Sequence, residues 1–207
     1  MIYYFTPWNS DKNLGKAYNQ CMELIGDNDW ACFTDADTMF TTYTYGKQIE
    51  DIVKEDAIYT AKTNRVMCPY QKTGIWEIDD IRYHRDLGQQ LANEKYDYLT
   101  DVTNECPLSG CLILISKKMW QKLGGFKEDK MLTIDNDIHL KAREKGEKVY
   151  LMEGVYLYHW YRGGNAQYTE HLKWKKSYIQ PYSTTTTQSK KCPNKKIGVI
   201  FYSPTKK

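Results

Sequence analysis

The feature that most constrains this chain is the alternation of strand-like and helix-like segments over its first sixty residues. Ile2 to Phe5 is β-branched and aromatic and stops at Thr6-Pro7. From Asn13 the apolar residues Leu14, Ala17, Tyr18, Cys21, Leu24 and Ile25 recur at helical spacing, and Gly26-Asp27-Asn28 ends the pattern. Trp30 to Phe33 is strand-like again, Ile49, Ile52 and Val53 mark a second helix ending near Glu55, and Ala57 to Ala61 reads as the next strand. Strands that alternate with helices need helices on the sheet faces, so this region predicts an α/β sheet with parallel strands.

Farther on, Thr63 to Glu105 is polar, with one helix over Asp80 to Tyr96, and suits an excursion that builds one wall of a cleft. Leu112 to Ile115 is a strand, Lys117 to Leu123 a helix closed by Gly124-Gly125, and Asp135 to Lys145 a helix closed by Gly146. Val149 to Met152 and Val155 to His159 are two short strands. Residues 181–207 form an extension rich in threonine and lysine, apart from a domain spanning 1–180, with Ile197 to Tyr202 as a late strand.

Composition narrows the function classes. With 41% hydrophobic and 27% charged residues in 207, the chain has the makeup of a globular protein rather than a fibrous or disordered one. Its apolar runs, of which none exceeds the length of Cys111 to Ile115, are far below the roughly 20 residues that span a bilayer, and no basic region followed by an apolar stretch opens the chain. The expectation is a soluble, cytoplasmic protein. Six lysines follow Ser189 with no acid, leaving 23 basic against 26 acidic residues in the body. A body that is net negative argues against a nucleic-acid partner and leaves the tail as a weak contact for an anionic surface, dispensable for chemistry. The six cysteines form no CxxC pair, and four sit among apolar residues, which reads as buried free thiols rather than a zinc site.

Chemistry concentrates at Asp35 and Asp37. They follow an apolar strand directly, so they lie at its carboxyl end, where open α/β sheets bind ligands. Two residues apart on extended backbone, they point to one side, and with no cation beside them they suit a shared Mg²⁺ or Mn²⁺. A bare DxD also reads as an aspartate-capped turn.

Longer blocks weigh against the turn. Asn13-Leu-Gly15-Lys-Ala17-Tyr-Asn19, a helix, and Trp30-Ala-Cys-Phe-Thr-Asp35-Ala-Asp37 resemble the stretch leading into the DxD motif of GT-A glycosyltransferases. Ser109-Gly110-Cys-Leu-Ile-Leu-Ile-Ser116 and Gly124-Gly125-Phe126 look like that family's acceptor-side strand and helix. Ile134-Asp135-Asn136-Asp137 is similar to its ED-type segment, and His159 in Tyr158-His-Trp-Tyr-Arg162 stands where such enzymes place a late metal ligand. The blocks keep the family's order over most of 1–162. Two departures are visible: the βα units before Asn13 are abbreviated, and Ile134 stands where the family prefers an acid.

The resemblance implies a Rossmann-like mixed sheet flanked by helices, N-terminally abbreviated. It implies a metal-dependent transferase that moves a sugar from a nucleotide-sugar donor, a UDP- or GDP-sugar, to a hydroxyl on a glycan, lipid-linked or other acceptor, with inversion. By that likeness Asp35, Asp37 and His159 hold Mn²⁺ or Mg²⁺, and Asp35 also bridges to the ribose. Arg65 or Arg162 lies near the phosphates, and Thr6, Trp8, Asn9 and Asn13 face the donor; Trp8 also reads as a core residue. The base is Asp135, with Asp137 in reserve; both open a helix, where first-turn amides favour a carboxylate, and Asp135 alternatively caps it. A sugar-nucleotide nucleotidyltransferase is disfavoured because Thr6 to Lys12 holds no glycine-rich phosphate loop. A catalytically silent carbohydrate binder, with 18 tyrosines and 6 tryptophans for stacking, is disfavoured by the intact carboxylates.

Overall fold

A computed structural model of the chain describes residues 1–128 and 132–161. Arg162, Cys192, the expected strand at Ile197 to Tyr202, the boundary at 180/181 and the lysine-rich extension lie outside the described residues. Seven strands and five helices follow the order β1 (Ile2–Phe5), α1 (Leu14–Glu23), β2 (Trp30–Thr34), β3 (Thr38–Phe40), α2 (Tyr45–Ile52), β4 (Ile58–Thr63), α3 (Ile81–Glu94), β5 (Leu99–Asp101), β6 (Leu112–Ser116), α4 (Lys117–Leu123), α5 (Ile134–Glu144) and β7 (Val149–His159). Among the described residues no helix is long and apolar enough to cross a membrane.

The strands form one mixed sheet in the order β1-β2-β6-β4-β7-β3, with β5 also on β7. Alternation with helices had pointed to parallel strands, and β1, β2, β4 and β7 do share one direction. However, β6 runs antiparallel between β2 and β4, and β3 and β5 run antiparallel to β7. Local pattern cannot report this, because a buried strand reads the same in either direction. The two short strands expected after Val149 are one strand, irregular where its register with β4 shifts between Ala61 and Lys62. Strands β3 and β5, three residues each, escape a periodicity reading; each exists by pairing with one end of β7.

Both faces of the sheet are covered. On one face Ala31, Phe33, Ile113 and Ile115 pack with Tyr18 and Met22 of α1, Met119 of α4 and Ile138 of α5. On the other face Cys32, Leu112 and Leu114 pack with Ile49 and Ile52 of α2. The alternation along β2 and β6 thus sends successive side chains into two separate cores. Local chemistry sets the helix ends. Asn13 accepts from Lys16 N at 3.0 Å to begin α1, Ser116 accepts from Met119 N at 2.8 Å to begin α4, and Gly124 ends α4 in the left-handed conformation.

Candidate active site

The four parallel strands end at one edge of the sheet, and antiparallel β6 starts there. Thr34 pairs with Leu112, so Asp35, the next residue, sits beside Cys111. Thr38 pairs with His159, so Asp37 comes to the end of β7. The turn between the two aspartates is tight: the Asp35 carbonyl accepts from Thr38 N at 3.1 Å and from Thr38 Oγ1 at 2.8 Å, and Trp160 N donates to the Asp37 carbonyl at 2.8 Å. The same turn satisfies the backbone and aims both carboxylates, so the capping and ligand readings coexist.

His159 is 7% exposed and held at three points. Its backbone N–H donates to Asn64 Oδ1 at 2.8 Å. Its Nδ1 lies 2.8 Å from the Arg65 carbonyl oxygen, which can only accept, so Nδ1 carries a hydrogen and Nε2 is the ring nitrogen turned toward the aspartates. That Nε2 lies 3.4 Å from Asp37 Oδ1. Cys111 Sγ is 3.3 Å from Nδ1, and Asp35, Cys111 and His159 bring one ligand atom each within 4.8 Å of one another.

Burial raises the Asp35 carboxyl to about 6; His159 opposes this, while Asp37 and Asp135 add to it. Burial likewise pushes the Cys111 thiol well above its ordinary value, with the Asp35 charge assisting. A cation would relieve this crowding. Ligands at adjacent corners of an octahedral ion with bonds of about 2.1 Å lie roughly 3 Å apart, so Asp37 Oδ1 and His159 Nε2 fit one ion after a small closure. Two carboxylates and an imidazole suit Mn²⁺, and carboxylates with water suit Mg²⁺, whereas sulfur, the softer donor of Cys111, suits neither.

Asp135 faces this cluster. The cap of α5 is Thr133, and Asp135 is the second residue of the helix rather than its N-cap. Its Oδ2 accepts from Gly110 N at 2.8 Å and its Oδ1 from Asn136 N at 2.9 Å, which leaves further lone pairs on both oxygens. Gly110 eases this approach, since a Cβ there would lie 3.2 Å from that of Asp135, tighter than an ordinary contact. Asp135 and His159 line one cleft of about 430 Å³, together with Ser109, Leu108 and Tyr161. Asp137 lines a different hollow and pairs with Lys141 at 2.9 Å, the ordinary i,i+4 arrangement. Of the two expected bases, only Asp135 is beside the cluster.

The remaining site residues divide. Thr6 Oγ1 lies 3.4 Å from Thr34 Oγ1 at the same sheet edge, and Trp8 beyond it is 61% exposed, which rules out a core role for that indole. Asn9 Oδ1 accepts from Asp11 N at 2.8 Å and from Asn13 N at 3.4 Å, folding the loop, while Asn13 caps α1 and donates to the Glu128 carbonyl. Arg65 is 7% exposed, with Nη1 2.7 Å from Asp79 Oδ1 and further bonds to the carbonyls of Trp76, Ile78 and Trp160. It pins the 76–79 segment to the end of β7, and its own carbonyl orients His159.

Three further residues serve the site, none of them singled out as a site residue by the sequence. Cys111 stands next to His159. Asn64 holds the His159 backbone. Gln71, fully buried, accepts from Ser109 N at 2.6 Å and steadies the residue before Gly110. For Cys111 and Asn64 the usable signal was adjacency to a strand end; for Gln71 there was none. Compared with models of protein families and with curated proteins, the sequence shows no match.

Proposed function

We propose that this chain is a metal-dependent glycosyltransferase of GT-A type that transfers a sugar from a UDP- or GDP-sugar to an acceptor hydroxyl. The observation that carries the reading is the His159–Asp37 pair, with Nε2 3.4 Å from Oδ1 and Nδ1 engaged by the Arg65 carbonyl, at the carboxyl edge of four parallel strands. Asp37 and His159 would hold Mn²⁺ or Mg²⁺ with Asp35 beside them, and the ion would supply a positive charge for the departing diphosphate. Thr6 and the exposed Trp8 offer the nucleoside a surface on the same edge.

In transfer the bond from the anomeric carbon to the diphosphate oxygen breaks and one to the acceptor oxygen forms. The acceptor gives up its proton, and Asp135 is placed to take it. Gly110 N–H and Asn136 N–H fix the carboxylate without saturating it. A single base acting opposite the leaving group inverts the anomeric centre. With Arg65 paired to Asp79, the phosphate charge falls chiefly to the metal site.

The test is direct. The chain is incubated with UDP- and GDP-sugars and an acceptor panel, with Mn²⁺ or with chelator, and release of nucleoside diphosphate is followed. Metal-dependent release that Asp37→Ala and His159→Ala abolish is expected. Absence of turnover with every donor, or full turnover in excess chelator, would overturn the proposal.

A further inference from the structure

The wall of the cleft carries two thiols that the acidic cluster does not use. Cys68 Sγ and Cys106 Sγ lie 3.8 Å apart, and both residues line the cleft that holds Asp135 and His159. No spacing in the sequence brings them together; two flanking segments fastened side by side do. Gln71, three residues after Cys68, accepts from Ser109 N at 2.6 Å and donates to Ser109 O at 3.1 Å, and Ser109 is three residues after Cys106.

Each segment is also anchored to the body. Thr63 N donates to Gln71 O and Thr73 N to Thr63 O, while Leu108 N donates to His139 Nδ1 and Arg143 holds the carbonyls of Thr103 and Glu105. A proline follows each cysteine, Pro69 and Pro107, narrowing the backbone freedom of both turns. The two sulfurs are therefore neighbours by construction of the fold, and a bond between them requires them to close from 3.8 Å to about 2.05 Å.

We propose that Cys68 and Cys106 are a site of reversible intramolecular disulfide formation, oxidised by a small-molecule disulfide, and that the bond clasps the wall of the cleft. The two thiols differ as an attacking and a resolving pair must. Cys106 is exposed, whereas Cys68 is 6% exposed and burial pushes its thiol up to about 11. Cys106 therefore meets the oxidant first: its sulfur, as thiolate, attacks one sulfur of the disulfide, the old S–S bond breaks, and one small thiol leaves. Cys68 then loses its proton to solvent and attacks Cys106 Sγ, releasing the second small thiol. The protein loses two protons and two electrons, and the oxidant is reduced to two thiols.

The clasp would join the segment whose Arg65 carbonyl orients His159 to the segment whose Gly110 N–H orients Asp135. It would therefore stiffen the supports of both residues at once. Cys21, Cys32 and Cys111 are buried, so among the described residues Cys106 is the exposed thiol.

The full chain is treated with oxidised glutathione and read by intact mass and by peptide mapping without reduction. The wild type should lose two hydrogens and yield a Cys68–Cys106 linked peptide, and excess dithiothreitol should restore the original mass. Cys68→Ser should instead stop with one glutathione on Cys106. Cys106→Ser should leave Cys68 unmodified over the same time, and Cys68→Ala with Cys106→Ala should reproduce both results if either serine variant is poorly folded. A wild type that stays reduced, stops as a mixed disulfide, or links Cys106 to any other cysteine overturns the proposal. The readout is a mass, so its result is separate from that of the transferase assay.

Discussion

Thr38 on β3 and His159 on β7 are register partners, and this pairing delivers Asp37 to the imidazole. A strand of three residues has no stability of its own; it persists because β7 offers it backbone partners. The metal-ligand candidates are thus assembled by the sheet ladder, and anything that binds between Asp37 and His159 also fastens β3 to β7.

Divalent metal should stabilise the fold as a result. At a Mn²⁺ concentration about a hundred times its dissociation constant, the gain is ~2.7 kcal/mol. In a thermal-shift experiment Asp37→Ala and His159→Ala should each lose most of that gain. A shift that survives in both variants would put the ion elsewhere.

Asp35 makes the metal-free protein pH-sensitive. Its folded value of about 6 exceeds the ordinary 3.8, so between those values the folded state keeps a proton that the unfolded chain releases. Stability from this group therefore falls as pH rises from about 4 to about 6 and stays reduced above. Asp35→Asn should be more stable than the parent near pH 7 without metal, by on the order of 1–3 kcal/mol, with little difference near pH 3. Urea unfolding across pH checks this, and equal or lower stability of the variant at neutral pH contradicts it.

Asp135→Asn and Asp137→Asn should separate cleanly. The first should keep donor and metal binding while kcat falls by a factor on the order of 10² to 10⁴. The second should keep turnover and lose only the Lys141 pair, worth ~0.3–0.5 kcal/mol on a helix surface. Wild-type turnover in Asp135→Asn, or a product that retains the donor's anomeric configuration, refutes the assignment.

Arg65→Lys should behave as a packing lesion. Lysine cannot reach Asp79 and the carbonyls of Trp76, Ile78 and Trp160 together, so the fold should lose ~2–4 kcal/mol. At a temperature where the variant is folded, KM for the donor should change little. A large rise in KM with an unchanged melting temperature would instead give Arg65 the phosphate.

What the sequence by itself determined is local. The apolar spacing from Leu14 to Ile25 determined α1, the run Leu112 to Ile115 determined β6, and Gly124 determined where α4 stops, because each depends on neighbours along the chain and on which side must leave water. The position of Asp35 and Asp37 at a strand end was legible for the same reason.

Tertiary structure alone decided the antiparallel course of β6 and the existence of β3 and β5, and it put Asp135, which the family resemblance had already preferred, in the cleft and Asp137 outside it. It also decided the pairing of Arg65 with Asp79 and the meeting of Cys68 with Cys106. Each of these depends on which distant backbone supplies a hydrogen bond or closes a gap. Periodicity records that a side chain is buried; it carries no record of the partner it is buried against.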